Sequence, residues 1–333
     1  MTTAVDVLHS VDLTPHRLVD SVLTPDVQEF LVDLHRAFQP GRNVLLANHA
    51  DAAKRFADQA RPSFDPQTAY IRSGEWHIAP PPLDLTNRRT ELTGPVRREA
   101  MVEALNSGAN VFMADFEDTT TPNWDNVLSG QANLRDAYAG TLTAIVHGEI
   151  RTPGPDAAAI MVRTRGWHLD ESNMKIDGES VAASLFDFAV CAFHNSLPAI
   201  AAGTGPYFYL PKFESAADAR LWSDVLQFTE ERLGLHRGTI RVTVLIETIA
   251  AAFEMDEILF ELRDHITGLH TGNWDYLFSI VKSFRNDSSF VLPDRADLSA
   301  TTPFIRSFTE LLVSVCHRRG AHALGGMSGI VPD

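Results

Sequence analysis

The stretch ANVFMADFED, residues 109–118, decides how this chain folds. Val111, Phe112, Met113 and Ala114 form an unbroken apolar run, without the in-and-out alternation of a strand that has one wet face. Such a run suits a strand covered on both sides, as in a parallel sheet flanked by helices. It then delivers three carboxylates, Asp115, Glu117 and Asp118, so polar groups gather where the strand stops.

The same grammar repeats in both directions. Upstream, RRTELTG (88–94) precedes VRREAMVEALNSG (96–108), a helix opened by Pro95 and closed by Gly108. Downstream come AAIMVRTRG (158–166), then ESVAASLFDFAVCAFHNSLPAI (179–200) as a helix, then PYFYLPKF (206–213) before the helix SAADARLWSDVLQFTEERLG (215–234). IRVTVLIET (240–248) precedes AAFEMDEILFELR (251–263), whose Met255, Ile258, Leu259 and Leu262 make one apolar face at helical spacing. ITGLHTGNW (266–274), the helix PFIRSFTELLVSVCHRRG (303–320) and AHALGGMSG (321–329) complete the series, for seven predicted strands. Strands alternating with helices predict a parallel α/β fold.

A doubly wound sheet that binds a dinucleotide needs a glycine-rich turn after its first strand, and no G-x-G-x-x-G follows any strand here. A β/α (TIM-type) barrel is the better reading. Only Ile330 to Asp333 follow the seventh strand, so an eighth cannot be written, and the expectation is a barrel recorded without it.

Ahead of the barrel, LTPDVQEFLVDLHRAF (23–38) has helical spacing at Val27, Phe30, Leu31 and Leu34 after Thr24-Pro25. The prolines of IAPPPLDL (78–85) then mark an extended linker. Residues 1–85 therefore read as a helical accessory region with its linker, and 86–333 as the barrel domain.

Composition narrows the function classes. The 333 residues carry 28 basic and 43 acidic side chains, a formal charge of −15, which repels a polyphosphate backbone. Basic clusters are no longer than Arg97-Arg98 and Arg318-Arg319, so nucleic acid is not an expected partner. Cys191 and Cys316 each lie in an apolar run, as buried thiols of a reducing compartment do. MTTAVDVLHSVDL lacks a basic start and a long apolar stretch, and no segment reaches the roughly 18 apolar residues of a membrane span. The final VPD is not a Ser-Lys-Leu-like tripeptide. A cytoplasmic protein without a membrane partner is expected, while oligomeric state is not legible.

Reactive groups of β/α barrels lie at the carboxyl ends of the strands. Here those ends carry Asp115, Glu117, Asp118, Arg163, Lys212, Glu247 and Asp275, all expected at one mouth. Glu247 and Asp275 suit a hard, oxygen-preferring cation such as Mg²⁺, completed by waters and a substrate oxygen. Equally, Glu247 could cap the following helix and Asp275 open another. Arg163 could hold a carboxylate or stabilise an enolate oxygen, or simply pair with Asp115 or Glu117, and spacing does not separate it from Arg165. Lys212 could be the Schiff-base lysine of a metal-free aldolase, because a desolvated lysine in an apolar mouth can lose its proton. His168, His194 and His270 receive no role. The amides of HTGNWDY beside Gly272 form a potential anion cradle for a small carboxylate.

These segments resemble the malate synthases, specifically the shorter A form. The matching runs are RRTELTGPVRREAMVEALNSGANVFMADFEDTTTPNWDN, MVRTRGWHL, DGESVAASLFDF, GPYFYLPKFES, RLW, RGTIRVTVLIETIAAAFEMDEILFELRDHITGLHTGNWDYLFSIVKSF and HALGGM, in the family's order from about residue 70 onward. The resemblance implies a Mg²⁺-dependent Claisen condensation of acetyl-CoA with glyoxylate, then hydrolysis to malate and CoA, on a barrel with an N-terminal helical clasp and a C-terminal helical plug. Arg163 matches the catalytic arginine. Glu247 and Asp275 match the metal ligands, and Gly272, Asn273, Trp274 and Asp275 the glyoxylate-binding loop. Asp115, Glu117 and Asp118 would support the reacting centre from around it.

The family usually reads GLNCGRWDY and VRPRGWH, so His270, Thr271, Asn273 and Thr164 are departures. The family's catalytic aspartate base lies in the plug beyond HALGGM, and no residue here matches it. The expectation is a truncated chain that binds Mg²⁺ and glyoxylate but condenses little on its own. Two alternatives stand beside this reading: a citrate-lyase-β-like CoA-ester lyase, and a non-catalytic remnant that only binds metal and ligand.

Overall fold

The computed structural model describes residues 10–58 and 60–326. The extreme N-terminus and the tail from Met327, where no eighth strand is expected, lie outside the described residues. The chain divides into two compact units. One takes the residues up to Pro40, Pro81–Leu210 and Gln227–Arg241; the other takes Gly41–Pro80, Pro211–Leu226 and the residues from Val242 onward. The helix α1 (Pro25–Ala57) is longer than its apolar spacing alone suggests, because the chain stays helical through Pro40.

In the first unit four parallel strands lie side by side in chain order: β1 (Glu91–Pro95), β2 (Val111–Asp115), β3 (Ala159–Arg163) and β4 (Tyr207–Leu210). Every residue of β2 is buried, as its unbroken apolar run requires. The helices between strands are α2 (Arg98–Leu105), α3 (Trp124–Tyr138) and α4 (Ala183–Ala201). Asn123 caps α3 by accepting from the Asn126 amide, and Trp124 then packs on Phe186 of α4 with ring centroids 5.6 Å apart.

One prediction needs correcting. The helix expected over 179–200 begins at Ala183, and Glu179–Ala182 is a strand paired antiparallel with Asp170–Ile176. The turn between them, Asp177-Gly178, has positive φ at both residues (52° and 86°), the requirement of a two-residue type I′ hairpin. Val11–Leu13 completes this small sheet. A second such turn, His147-Gly148, joins Ala144–Val146 to Glu149–Arg151.

The second unit holds the remaining parallel strands, again in chain order: β5 (Arg241–Ile246, in this unit from Val242), β6 (Ile266–Thr271) and β7 (His322–Leu324). The helix α5 (Ala216–Leu233) begins in this unit, which also holds α6 (Met255–Glu261), α7 (Asn273–Ser283) and α8 (Pro303–Arg319). Met255, Ile258, Leu259 and Leu262 are all buried, as their spacing predicts. Buried Arg319 donates to Asp256 (2.8 Å) and to the carbonyls of Ile71, Arg72 and Gly74, tying the end of α8 to the chain before the prolines.

Seven parallel strands are thus found among the described residues, four in one unit and three in the other. In neither unit does the strand order reverse, so neither contains the switch point of a doubly wound sheet. The architecture is that of a β/α barrel, as the alternation predicts. No described helix is long and apolar enough to cross a membrane.

Candidate active site

In the first unit the carboxyl ends of β2 and β3 bring Asp115 and Arg163 opposite each other in register. The guanidinium forks onto the carboxylate, Nε to Oδ1 at 2.7 Å and Nη2 to Oδ2 at 2.6 Å. Asp115 also accepts from the amides of Glu117 and Thr119, each at 2.9 Å, so the turn after β2 folds around it. Burial opposes the charge on Asp115, but Arg163 and these amides outweigh it and hold the carboxyl below its usual range. Arg163 has a second carboxylate, Asp118, 2.9 Å from Nη2. Whereas Arg163 and Asp115 are sealed at 1% and 0% exposure, the Asp118 side chain is 44% exposed, so the cluster opens to water on that side.

Arg165, inseparable from Arg163 by spacing, is settled here by its partners. It forks onto Asp187 (2.9 and 2.7 Å) and reaches Glu171 (3.0 Å), with all three side chains at most 3% exposed. Burial works against the charged guanidinium, yet the two carboxylates raise its pKa. Arg165 is therefore a locked structural ion, and of the two arginines Arg163 has the partner that water can reach.

In the second unit three charged residues converge. Lys212, two residues past the end of β4, has a left-handed backbone (φ 60°), and its amide donates to Glu247 Oε1 at 2.6 Å. Its Nζ lies 2.5 Å from Asp275 Oδ2 and 3.5 Å from Glu247 Oε2. Glu247 follows β5 directly and is 1% exposed, whereas Asp275 sits in the first turn of α7 and is 40% exposed. Burial pushes Glu247 up to about 7; Lys212 opposes the shift and the neighbouring Asp275 carboxylate adds to it. The groups nearest the Lys212 ammonium are carboxylates, not the apolar walls that a Schiff-base lysine requires.

Gly272 makes this packing feasible. A Cβ at this position would lie 2.3 Å from Glu247 Cβ and 2.8 Å from its Oε2. Gly326 plays a similar part behind the loop, where a Cβ would fall 2.6 Å from Asn273 Nδ2. Asn273, Trp274 and Asp275 occupy the first turn of α7, where amides are not used by the helix itself. The buried Asn273 Oδ1 has no hydrogen-bond partner in this turn. Arg295 stacks its guanidinium 4.2 Å over the Trp274 ring.

Two carboxylate oxygens converging on one ammonium show that Glu247 and Asp275 can share a cation. Among the described residues no third His, Cys, Asp or Glu joins them, so a metal held there would complete its shell with water and ligand oxygens. That donor set fits a hard cation of the Mg²⁺ type. Asp275 does open a helix, as the alternative reading had it, but its side chain still turns to Lys212. Of the histidines, His194 simply donates from Nε2 to the Val22 carbonyl oxygen (2.7 Å), and burial lowers its pKa. A cavity of about 720 Å³ in the first unit, lined by Arg97, Arg98 and Thr119–Thr121, and one of about 210 Å³ in the second, beside His49 and Glu254, are not lined by Arg163, Glu247 or Asp275.

Comparison with known proteins adds to this geometry. A family model described as malate synthase, TIM barrel domain, matches residues 159–333, and one described as malate synthase, N-terminal domain, matches residues 5–70. The malate synthase of Myxococcus xanthus (strain DK1622) is 50% identical over 312 residues, 93% of this chain and 58% of that protein. Malate synthase A of Escherichia coli (strain K12) is 46% identical over 313 residues, 94% of this chain and 59% of that protein. The chain thus spans about three-fifths of the length of the curated relatives it matches. Among solved structures, the Haloferax volcanii malate synthase pyruvate/acetyl-CoA ternary complex shares the fold, with a TM-score of 0.53 at 17% identity over 73% of this chain and 60% of that one.

Proposed function

This chain belongs to the malate synthase family, and on that footing we propose that it serves the Mg²⁺-dependent Claisen condensation of acetyl-CoA with glyoxylate, followed by thioester hydrolysis to malate and CoA. The observation that carries the reading is the convergence of Glu247 and Asp275 on a single cationic group. In this proposal the two carboxylates hold Mg²⁺, which when bound polarises the glyoxylate aldehyde and makes its carbon electrophilic.

The other roles fall to this chain's own groups. Forming an enolate from a thioester methyl places negative charge on the thioester oxygen, and a fixed guanidinium stabilises that charge as it develops. Arg163 is assigned this task. Asp115 orients the guanidinium through the bidentate fork, and the water-facing Asp118 is the partner that an anionic ligand would replace. The first-turn amides of α7, from Asn273 to Asp275, are assigned to the glyoxylate carboxylate, since unused amides and the helix dipole both favour an anion; Gly272, whose own amide donates to the Ile246 carbonyl at 2.9 Å, is assigned to the same loop for the room its missing Cβ leaves beside Glu247. Residues 1–85 are assigned to the helical clasp and 86–333 to the barrel region, with the cytoplasm as the working compartment.

Calorimetric titration of Mg²⁺ and glyoxylate into the 333-residue chain tests the reading, followed by an assay for malate. Glu247→Gln and Asp275→Asn should each abolish Mg²⁺ binding, whereas Arg163→Lys should leave Mg²⁺ binding intact and remove any malate formation. Mg²⁺ affinity indifferent to Glu247 and Asp275, or rapid malyl-CoA cleavage without condensation, would refute it.

A further inference from the structure

We propose that the Lys212 ammonium and an incoming divalent cation compete for the same two carboxylates, so that Lys212 acts as a tethered gate on metal loading. The inference rests on the assignment of Glu247 and Asp275 as metal ligands. It deepens that assignment by giving Lys212 a task that the condensation itself does not require.

A lysine in the left-handed region is uncommon and unfavourable, and it persists only where its surroundings fix it. What fixes it here is the amide, which donates to Glu247 Oε1 at 2.6 Å. That bond orients the buried carboxylate and leaves Oε2 facing Nζ, 3.5 Å away. The backbone and the side chain of one residue thus have separate tasks. The amide can stay on Glu247 while the ammonium leaves.

Charge counting shows why it should leave. With both carboxylates ionised, the state in which they would bind a metal, their charge and that of one ammonium sum to −1, and with a divalent ion in place of the ammonium the sum is zero. Holding both cations at once would put +1 beside Glu247, which is 1% exposed, and like charges in so poorly solvated a place repel strongly. The ammonium also has somewhere to go, because the Lys212 side chain is 20% exposed and Asp275 40%. Its bond to Asp275, at 2.5 Å, is therefore one that water can replace.

The experiment compares Mn²⁺ affinity, followed by electron paramagnetic resonance, in the wild-type chain and in Lys212→Met, Lys212→Arg, Glu247→Gln and Asp275→Asn. Lys212→Met keeps the amide and removes the competitor. Its affinity should rise about fivefold or more, the range of a partly exposed ion pair. Lys212→Arg keeps a tethered cation and should show no such rise. An unchanged or weakened affinity in Lys212→Met, with wild-type binding still lost in Glu247→Gln and Asp275→Asn, overturns the gate and leaves the metal site standing. Binding that survives both carboxylate substitutions overturns the site assignment itself.

A measurement on the unmodified chain guards against a Lys212→Met protein that does not fold. Acylation of Lys212 by an amine-reactive reagent, mapped by mass spectrometry, should speed up severalfold when Mg²⁺ is added, because the ammonium is displaced into water. Labelling that is unchanged or slowed by Mg²⁺ overturns the proposal.

Discussion

Gly272 offers a clean test of whether the site depends on packing as tight as the structure shows. Its φ of −93° is open to any residue, so replacing it adds a Cβ without imposing backbone strain. That Cβ would meet Glu247 Cβ at 2.3 Å and Oε2 at 2.8 Å. Ordinary carbon contacts begin near roughly 3.5 Å, so Glu247 or the start of α7 must retreat by about 1 Å. Overpacking of a fixed site costs on the order of 1–3 kcal/mol, and here the retreat also separates the two cation-facing carboxylates.

Gly272→Ala should therefore lower unfolding stability by about 2 kcal/mol and weaken Mn²⁺ binding by about 10- to 100-fold, the usual effect of misplacing a metal ligand's support. Gly272→Ser separates sterics from capping. Serine is the better residue to cap α7, so on capping grounds alone it should stabilise the helix, whereas the clash predicts that it destabilises nearly as much as alanine. Urea unfolding and metal titration of both variants decide the matter. If Gly272→Ser is as stable as wild type and binds Mn²⁺ equally well, the close approach to Glu247 is not a constraint and the reasoning fails.

Asp115→Ala should cost about 3–5 kcal/mol in chemical denaturation, because it removes the bidentate carboxylate of a buried guanidinium and leaves the half-exposed Asp118 beside it; a loss under about 1 kcal/mol would contradict this. The His49 ring, 3.0 Å from buried Asp218, is held back by burial but carried above its ordinary 6.5 by that carboxylate. A raised folded-state value means the stabilisation is complete below the unfolded value and disappears as pH rises through the folded one. The stability gap between wild type and His49→Gln should accordingly narrow as pH is raised above 6.5, and a gap that widens rules the pair out as the cause. Thr164 is fully buried with no hydrogen-bond partner for its hydroxyl, so Thr164→Val should stabilise by up to about 1 kcal/mol in thermal unfolding; a destabilised variant would show that the hydroxyl is bonded.

Turn chemistry overrides apolar spacing at the start of α4. The helix predicted over 179–200 absorbed four residues of strand because apolar spacing outweighed Asp177-Gly178, a two-residue hairpin signal in plain view. Pro40 and Gly41 suggest a stop, yet the helix that contains them continues to Ala57. Nothing in PKF announces the left-handed backbone of Lys212 or an amide aimed at a glutamate 35 residues on.

The positions of β2, β4 and β5 were legible because burial on both faces writes itself locally, as an unbroken apolar run ending in a polar residue, whereas β1 has no fully buried residue and no such run. Asp115, Arg163, Lys212, Glu247 and Asp275 stand at or just past such ends, and that placement needs no knowledge of distant chain. Which charge meets which is another matter. Arg163 takes Asp115 from 48 residues away, Arg165 takes Asp187 from 22, and Lys212 takes Asp275 from 63. Those pairings depend on which strands and helices become neighbours, which is set when nonlocal apolar surfaces pack; for Asp115 and Arg163, partners in register on adjacent strands, a shift of a single residue would break the fork. The letters therefore determined the alternation and the inventory of reactive groups. Tertiary structure alone decided that one arginine is locked in the interior while the other keeps a partner that water can reach, and that two carboxylates converge on one cation.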